Sequence, residues 1–114
     1  MLKYLSTETN LNSVVGKLSY GSTSFMLTGD APMEVEKFIV EKYLRKNDGI
    51  NSDTANLSDT GFLKSDVLKL GHHGSKTSTS PEFLKAVLPT FAIVSAGKDN
   101  RYGHPHKRVL DIVE

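Results

Sequence analysis

The feature that most constrains this fold is a short helical segment set between two short apolar runs. Residues 66–70 (DVLKL) and 91–95 (FAIVS) read as buried strands. Between them, Thr79-Ser80-Pro81-Glu82 is a helix start. It offers a hydroxyl cap, a proline near the first helical position and a glutamate able to close a capping box. The helix runs to about Leu88 and stops at Pro89. Strand, helix and strand make a βαβ-like unit.

A hairpin precedes that unit. Residues 12–20 read as a strand with Val14, Leu18 and Tyr20 on one face. Gly21-Ser22 is a two-residue turn of the Gly-X type, and residues 23–28 (TSFMLT) return. Residues 33–44 follow as a helix, with Val35, Phe38, Ile39, Tyr43 and Leu44 at helical spacing and Pro32 where a first-turn proline is tolerated. The polar stretch 46–60 reads as a loop long enough to be an insertion. A last helix reaches Val113 with Val109, Leu110 and Val113 on one face. The expected class is α/β, a mixed sheet with helices on one face.

Composition removes several functions. The chain has 114 residues, enough for one small domain or part of a larger one. A net charge of +1 gives no bulk attraction for nucleic acid, so any such contact needs a local patch. The absence of cysteine excludes disulfides and thiolate metal sites. No apolar run approaches the roughly 20 residues of a membrane span, and no apolar segment of signal-peptide type follows Lys3.

The chemistry-bearing residues are concentrated. All four histidines lie in two short loops, His72-His73 and His104-x-His106, each after an expected buried strand. Asp30 also follows a strand end. Imidazoles and a carboxylate at separate strand ends are the usual material of a Zn²⁺ or Mn²⁺ site. Each has a plainer reading. The His72-His73 pair, between Gly71 and Gly74, can be a pair of surface imidazoles or one packed on the sheet. Asp30, just before Ala31-Pro32, can be an ordinary helix N-cap. Asn100-Arg101-Tyr102-Gly103-His104-Pro105-His106 suits an anion such as a phosphodiester, or is a polar turn with His106 capping the last helix. Lys76, Lys98, Arg101, Lys107 and Arg108 form a modest basic rim or a solvated face.

Taken together, NSVV (12–15), SYGSTSFMLTGDA (19–31), SDVLKLGHHGSKTSTSPEFLKAV (65–87) and SAGKDNRYGHPHKRVL (95–110) resemble the ComEC-type, DNA-uptake branch of the metallo-β-lactamase superfamily. LTGD alone is weak. GHHGSKTS together with NRYGHPH is specific. The resemblance implies residues 1–114 as the C-terminal half of an αββα sandwich. It implies Asp30 as the metal-bridging carboxylate, and His72 or His73 as a ligand, with His72 favoured by an H-x-[GS]-S pattern. It assigns His104 to the scissile group as the catalytic residue. The substrate-binding positions would be Ser75, Lys76, Asn100, Arg101 and His106. The implied metals are Zn or Mn in a two-metal site.

The superfamily's HxHxDH cluster is absent from this chain. The expectation is therefore that the isolated chain turns over no phosphodiester and that the N-terminal half of the domain is missing from it. The parent is expected to be a plasma-membrane protein with a channel region, carrying this domain outside the cytoplasm and taking up DNA. The alternatives are a non-catalytic DNA-binding or structural domain of the channel, and a free-standing hydrolase of small esters. A half sandwich leaves an apolar sheet face open, so a homodimer is also expected.

Overall fold

The computed structural model describes residues 9–47 and 61–114. The N-terminal tail and residues 48–60, most of the expected insertion, lie outside the described residues. The elements are β1 (Gly16–Tyr20), β2 (Thr23–Leu27), α1 (Met33–Asn47), β3 (Val67–Lys69), α2 (Pro81–Val87), β4 (Phe91–Ile93) and α3 (Lys107–Val113). They make a mixed four-stranded sheet in the order β1-β2-β3-β4. The hairpin pair β1–β2 is antiparallel, while β2–β3 and β3–β4 are parallel. The β3–α2–β4 crossover is the expected βαβ unit, since parallel neighbours need a connection of this length.

Register divides the sheet into two unlike faces. Met26 pairs with Leu68, which pairs with Ala92, and this row looks toward the helices. Met26 and Leu68 join Val40, Leu63, Leu70, Phe83, Ala86, Val87 and Val109 in the buried core. The alternate row runs Leu18, Phe25, Val67, Phe91, because successive strand residues point to opposite faces. On that side Leu18, Tyr20, Leu27, Phe91 and Ile93 are all exposed. Among the described residues, helices therefore cover one face only, as expected, and the other face is apolar and exposed.

Several expectations need correction. The first strand begins at Gly16 rather than at residue 12, because Thr9–Asn12 forms a 3-10 turn. Helix α1 continues past Leu44 to Asn47, so the expected loop starts later than residue 46. Phe38, placed on its inner face by spacing, is exposed, and Val40 is buried instead. The run 91–95 is apolar but not buried: β4 is an edge strand with every residue exposed. Apolar composition reported the strand correctly there but not its exposure among the described residues. Among the described residues, no helix is long and apolar enough to cross a membrane.

Candidate functional site

Three parallel strands end at one edge of the sheet, and each delivers a loop there. Asp30 follows β2, His72 and His73 follow β3, and the 97–106 loop follows β4. In parallel sheets the carboxyl ends of strands are where loops converge into a crevice.

The first two loops are stitched together by backbone. The His72 amide donates to the Gly29 carbonyl at 2.9 Å, which sets the histidine turn beside Asp30. The Met33 amide, first in α1, donates to the Thr77 carbonyl at 2.9 Å. The Ser78 hydroxyl donates to the Ala31 carbonyl at 2.7 Å. With Met33 so occupied, and the Val35 and Glu36 amides donating to the Pro32 carbonyl, the first turn of α1 is capped by groups other than Asp30. The Asp30 side chain is partly open to solvent.

The histidine turn is unusual in its backbone. His72 has φ 47° and ψ 49°, and His73 has φ 57° and ψ 25°. Two consecutive non-glycine residues thus sit in the left-handed region, which costs an L-residue roughly 1–2 kcal/mol each. The glycines on either side make this possible. A β-carbon on Gly71 would lie 3.0 Å from Ser78 Cβ, so the turn packs directly on the segment after it. At Gly74, φ is 78° and a β-carbon would stand 2.6 Å from Pro105 Cβ. The third loop is therefore seated on Gly74, and the His106 amide donates to the Gly74 carbonyl at 2.9 Å.

The turn aims the two rings differently. His73 Nδ1 lies 2.7 Å from the Ser95 carbonyl, an acceptor, so the ring proton belongs on Nδ1. Its Nε2 then faces Asp30 Oδ1 at 4.0 Å. The His72 ring turns toward the third loop, 5.6 Å from the His104 ring centre. His104 also neighbours His73 at 6.4 Å, Tyr102 at 5.7 Å and His106 at 5.2 Å. Desolvation holds the His104 imidazole below its ordinary pKa of 6.5, helped by the like charges His106, His72 and His73 and opposed by Asp30.

The third loop is organised by one side chain. Asn100 Nδ2 donates to the Gly97 carbonyl at 2.8 Å and the His104 carbonyl at 2.6 Å. Its Oδ1 accepts from the Tyr102 amide at 3.1 Å and the His104 amide at 3.0 Å. Two donors and two lone pairs are the whole capacity of an asparagine. Ser75 is buried, with its hydroxyl against the Thr77 hydroxyl at 2.9 Å. Arg101 bonds the Tyr102 hydroxyl at 2.8 Å with its guanidinium over that ring. Lys76 is exposed, and its carbonyl accepts from Arg108 at 3.3 Å. His106 stands at the N-cap position of α3, but its side chain makes no capping bond.

The structure thus brings Asp30, His72, His73, His104 and His106 to one rim. Donors of the right chemistry for Zn or Mn are present, but among the described residues no three of them close into a metal-holding group. By themselves these residues do not fit such an ion. Sequence reasoning missed one support of the site, Glu36, which reaches the segment after the histidine turn, while Tyr102, read as part of an anion-suited run, stands as an aromatic beside His104. Tyr102 was visible within the NRYGHPH run. Glu36 gave no signal, because its partners lie 43 and 44 residues away.

Comparison with known proteins gives relatives over most of the chain. It is 39% identical over 105 residues to ComE operon protein 3 of Bacillus subtilis, spanning 92% of this chain and 11% of that protein. It is 38% identical over 104 residues to competence protein ComA of Neisseria gonorrhoeae, spanning 91% of this chain and 13% of that protein. Recombination protein 2 of Haemophilus influenzae is 38% identical over 102 residues, which are 90% of this chain and 10% of that protein. The chain therefore spans about a tenth of the length of the curated relatives it matches. No protein-family profile and no solved structure matches it.

Proposed function

Because this chain is homologous, over nine tenths of its length, to a segment of competence proteins, we propose that it is the phosphodiester-handling part of a DNA-uptake protein. It would be the histidine-bearing half of a metal-dependent hydrolase domain. The observation that carries this reading is the delivery of Asp30, His72, His73 and His104 to one sheet edge by three parallel strands. The metallo-β-lactamase resemblance agrees with it, and so do Arg101, beside Tyr102 in the third loop, and the exposed Lys76 just after the histidine turn, both suited to phosphate oxygens.

Within this reading His104 is the catalytic residue. Its imidazole stands at the rim beside Tyr102 and His106 and would offer a ring N–H to a phosphate oxygen. Asp30 and one of the paired histidines are the metal donors. The sequence pattern favours His72, whereas the geometry favours His73, whose Nδ1 is tied to a backbone carbonyl and whose Nε2 faces Asp30. An imidazole oriented through its other nitrogen is the usual state of a ligating histidine. Arg101, Lys76 and His106 would meet the phosphate chain, with Asn100 and Ser75 shaping the loops that hold them. Zn or Mn would be the metal, and the remaining ligands have to come from outside the described residues. The parent would be a plasma-membrane protein with this domain outside the cytoplasm. The exposed apolar sheet face supports a homodimer in the isolated chain, which sedimentation would detect.

A non-catalytic DNA-binding role is the second reading. It is favoured by the absence of a three-donor group among the described residues. Hydrolysis assays separate the readings. The isolated chain with Mn²⁺ or Zn²⁺ should cleave neither DNA nor a simple phosphodiester, while the longer polypeptide should cleave DNA and lose that activity in Asp30→Ala. Metal-dependent turnover by the isolated chain, lost in Asp30→Ala, would overturn the need for outside ligands. A longer polypeptide that binds DNA without cleaving it selects the non-catalytic role. One that cleaves small esters alone selects the ester hydrolase.

A further inference from the structure

Glu36 is a carboxylate in the first turn of α1 and is only 1% exposed. Burial pushes its carboxyl above the ordinary value, opposed by the hydrogen bonds it accepts and by the charge of Arg108. Its two oxygens are used separately. One accepts the Thr79 amide at 2.6 Å and the other the Ser80 amide at 2.7 Å.

Those two amides are informative. Ser80 is the N-cap of α2, and its hydroxyl accepts from the Phe83 amide at 3.2 Å. In a capping box the second bond, to the N-cap amide, comes from an acid within the same helix. Here Glu82 does not supply it. Glu36 does, from a different helix. Thr79, just before, is held at φ 58°, a left-handed conformation that a threonine rarely adopts unaided. The same segment reaches back to the site. The Ser78 amide donates to the Ser75 carbonyl, and the Ser75 amide to the His72 carbonyl. In the other direction, the Met33 amide of α1 donates to Thr77 and Ala31 accepts from Ser78.

We propose that Glu36 is a positioning residue that locks the Asp30 loop and the His72-His73 turn into one rigid unit. The phosphodiester reading above supplies only what that unit acts on. The carboxylate fixes residues 79 and 80 to α1, and the bonds through Ser78 and Ser75 carry that constraint to the histidine turn. The His72 amide, bonded to Gly29, crosses directly between the two loops and reports their registration.

Hydrogen exchange in the whole chain, without metal or DNA, tests this. Glu36→Gln keeps the shape but turns an amide N–H₂ toward one of the two backbone donors. The His72 amide should lose about tenfold or more in protection, the scale of a lost charge-assisted hydrogen bond. The Ser65 amide, bonded to Val87 at the opposite end of the sheet, should keep its protection. Val40→Ala in the core of α1 is the control and should lower both amides by the same factor. An equal fall in both amides of Glu36→Gln, or no fall at His72, overturns the proposal. If Glu36→Gln does not fold, Glu36→Asp, one methylene too short to reach both amides, is read by the same ratio. A missing hydrolase activity leaves this ratio untouched. An unchanged ratio in an active protein removes only the positioning role.

Discussion

The two histidine loops are built in opposite ways. The turn at Gly71–Gly74 has both glycines buried, a backbone bond to Gly29 and a buried serine-threonine segment behind it. The 97–106 loop is exposed over most of its length and takes its shape from Asn100. The first is held by backbone bonds together with buried side chains behind it, Ser78 and Glu36 among them. The second is a product of one amide. A rim assembled this way has a fixed half, carrying Asp30, His72 and His73, and an adjustable half, carrying His104 and Arg101. Stability and site geometry should therefore be separable by mutation on the second loop and inseparable on the first.

The strongest way to break that contrast is at Gly74, where the two loops touch. Gly74→Ala places a β-carbon against the rigid ring of Pro105 and forces alanine to φ 78°. The left-handed backbone costs about 1–2 kcal/mol, and overpacking against a ring costs about 1–3 kcal/mol more. Urea unfolding should show a loss of about 2–5 kcal/mol by the same reasoning. Gly97→Ala is the matched change on the second loop, where the nearest atom is 3.9 Å away. It should stay within about 0.5 kcal/mol. Equal stabilities for the two variants would mean that Pro105 yields easily and the loops are not seated on one another.

Asn100→Ala sharpens the contrast with a smaller effect. It removes four hydrogen bonds, all within a solvent-facing loop where water replaces much of what is lost. The expected stability loss is about 1–2 kcal/mol. In an amide correlation spectrum, the Tyr102 and His104 peaks should shift or broaden while the His72 peak stays in place. Displacement of His72 in this variant would show that the two loops move as one body.

How much of this could be read from the chain follows the same division. The strand-ending loops, the βαβ unit and the helix start at Ser80-Pro81 were legible because each is a local pattern. The gathering of Asp30, His72, His73 and His104 was legible through their places after strand ends. The acid over the N-cap of α2 was not, because Glu82 satisfied the local pattern while Glu36 makes the bond. Likewise FAIVS looked buried because composition cannot say whether a second layer covers a strand. Asn100 looked like a ligand-binding amide because side-chain saturation is a property of the folded loop. Local signals carried the framework, and the errors fall on contacts distant in sequence or on surfaces left open.

The smallest effect concerns the strain stored in the histidine turn. His72 and His73 both hold left-handed backbone, a conformation that glycine adopts without penalty. Substituting alanine at His72 removes the imidazole and keeps the penalty, whereas glycine removes both. The difference between His72→Gly and His72→Ala therefore isolates the backbone term, with side-chain loss cancelled. Glycine's larger unfolded-state entropy works against it by roughly 0.5–1 kcal/mol, and relief of the left-handed strain works for it by about 1–2 kcal/mol. His72→Gly should thus be the more stable by up to about 1.5 kcal/mol, read as a higher urea midpoint at unchanged slope. If alanine is as stable as glycine, the strain at His72 only offsets glycine's entropy of roughly 0.5–1 kcal/mol, and the left-handed form is an inexpensive route between β3 and the segment behind it. If glycine wins, the fold sustains an unfavourable backbone to present two adjacent imidazoles at the rim. Residues held in such conformations cluster at functional sites. The fixed loop would then be the costly half of the site and the Asn100 loop the inexpensive one.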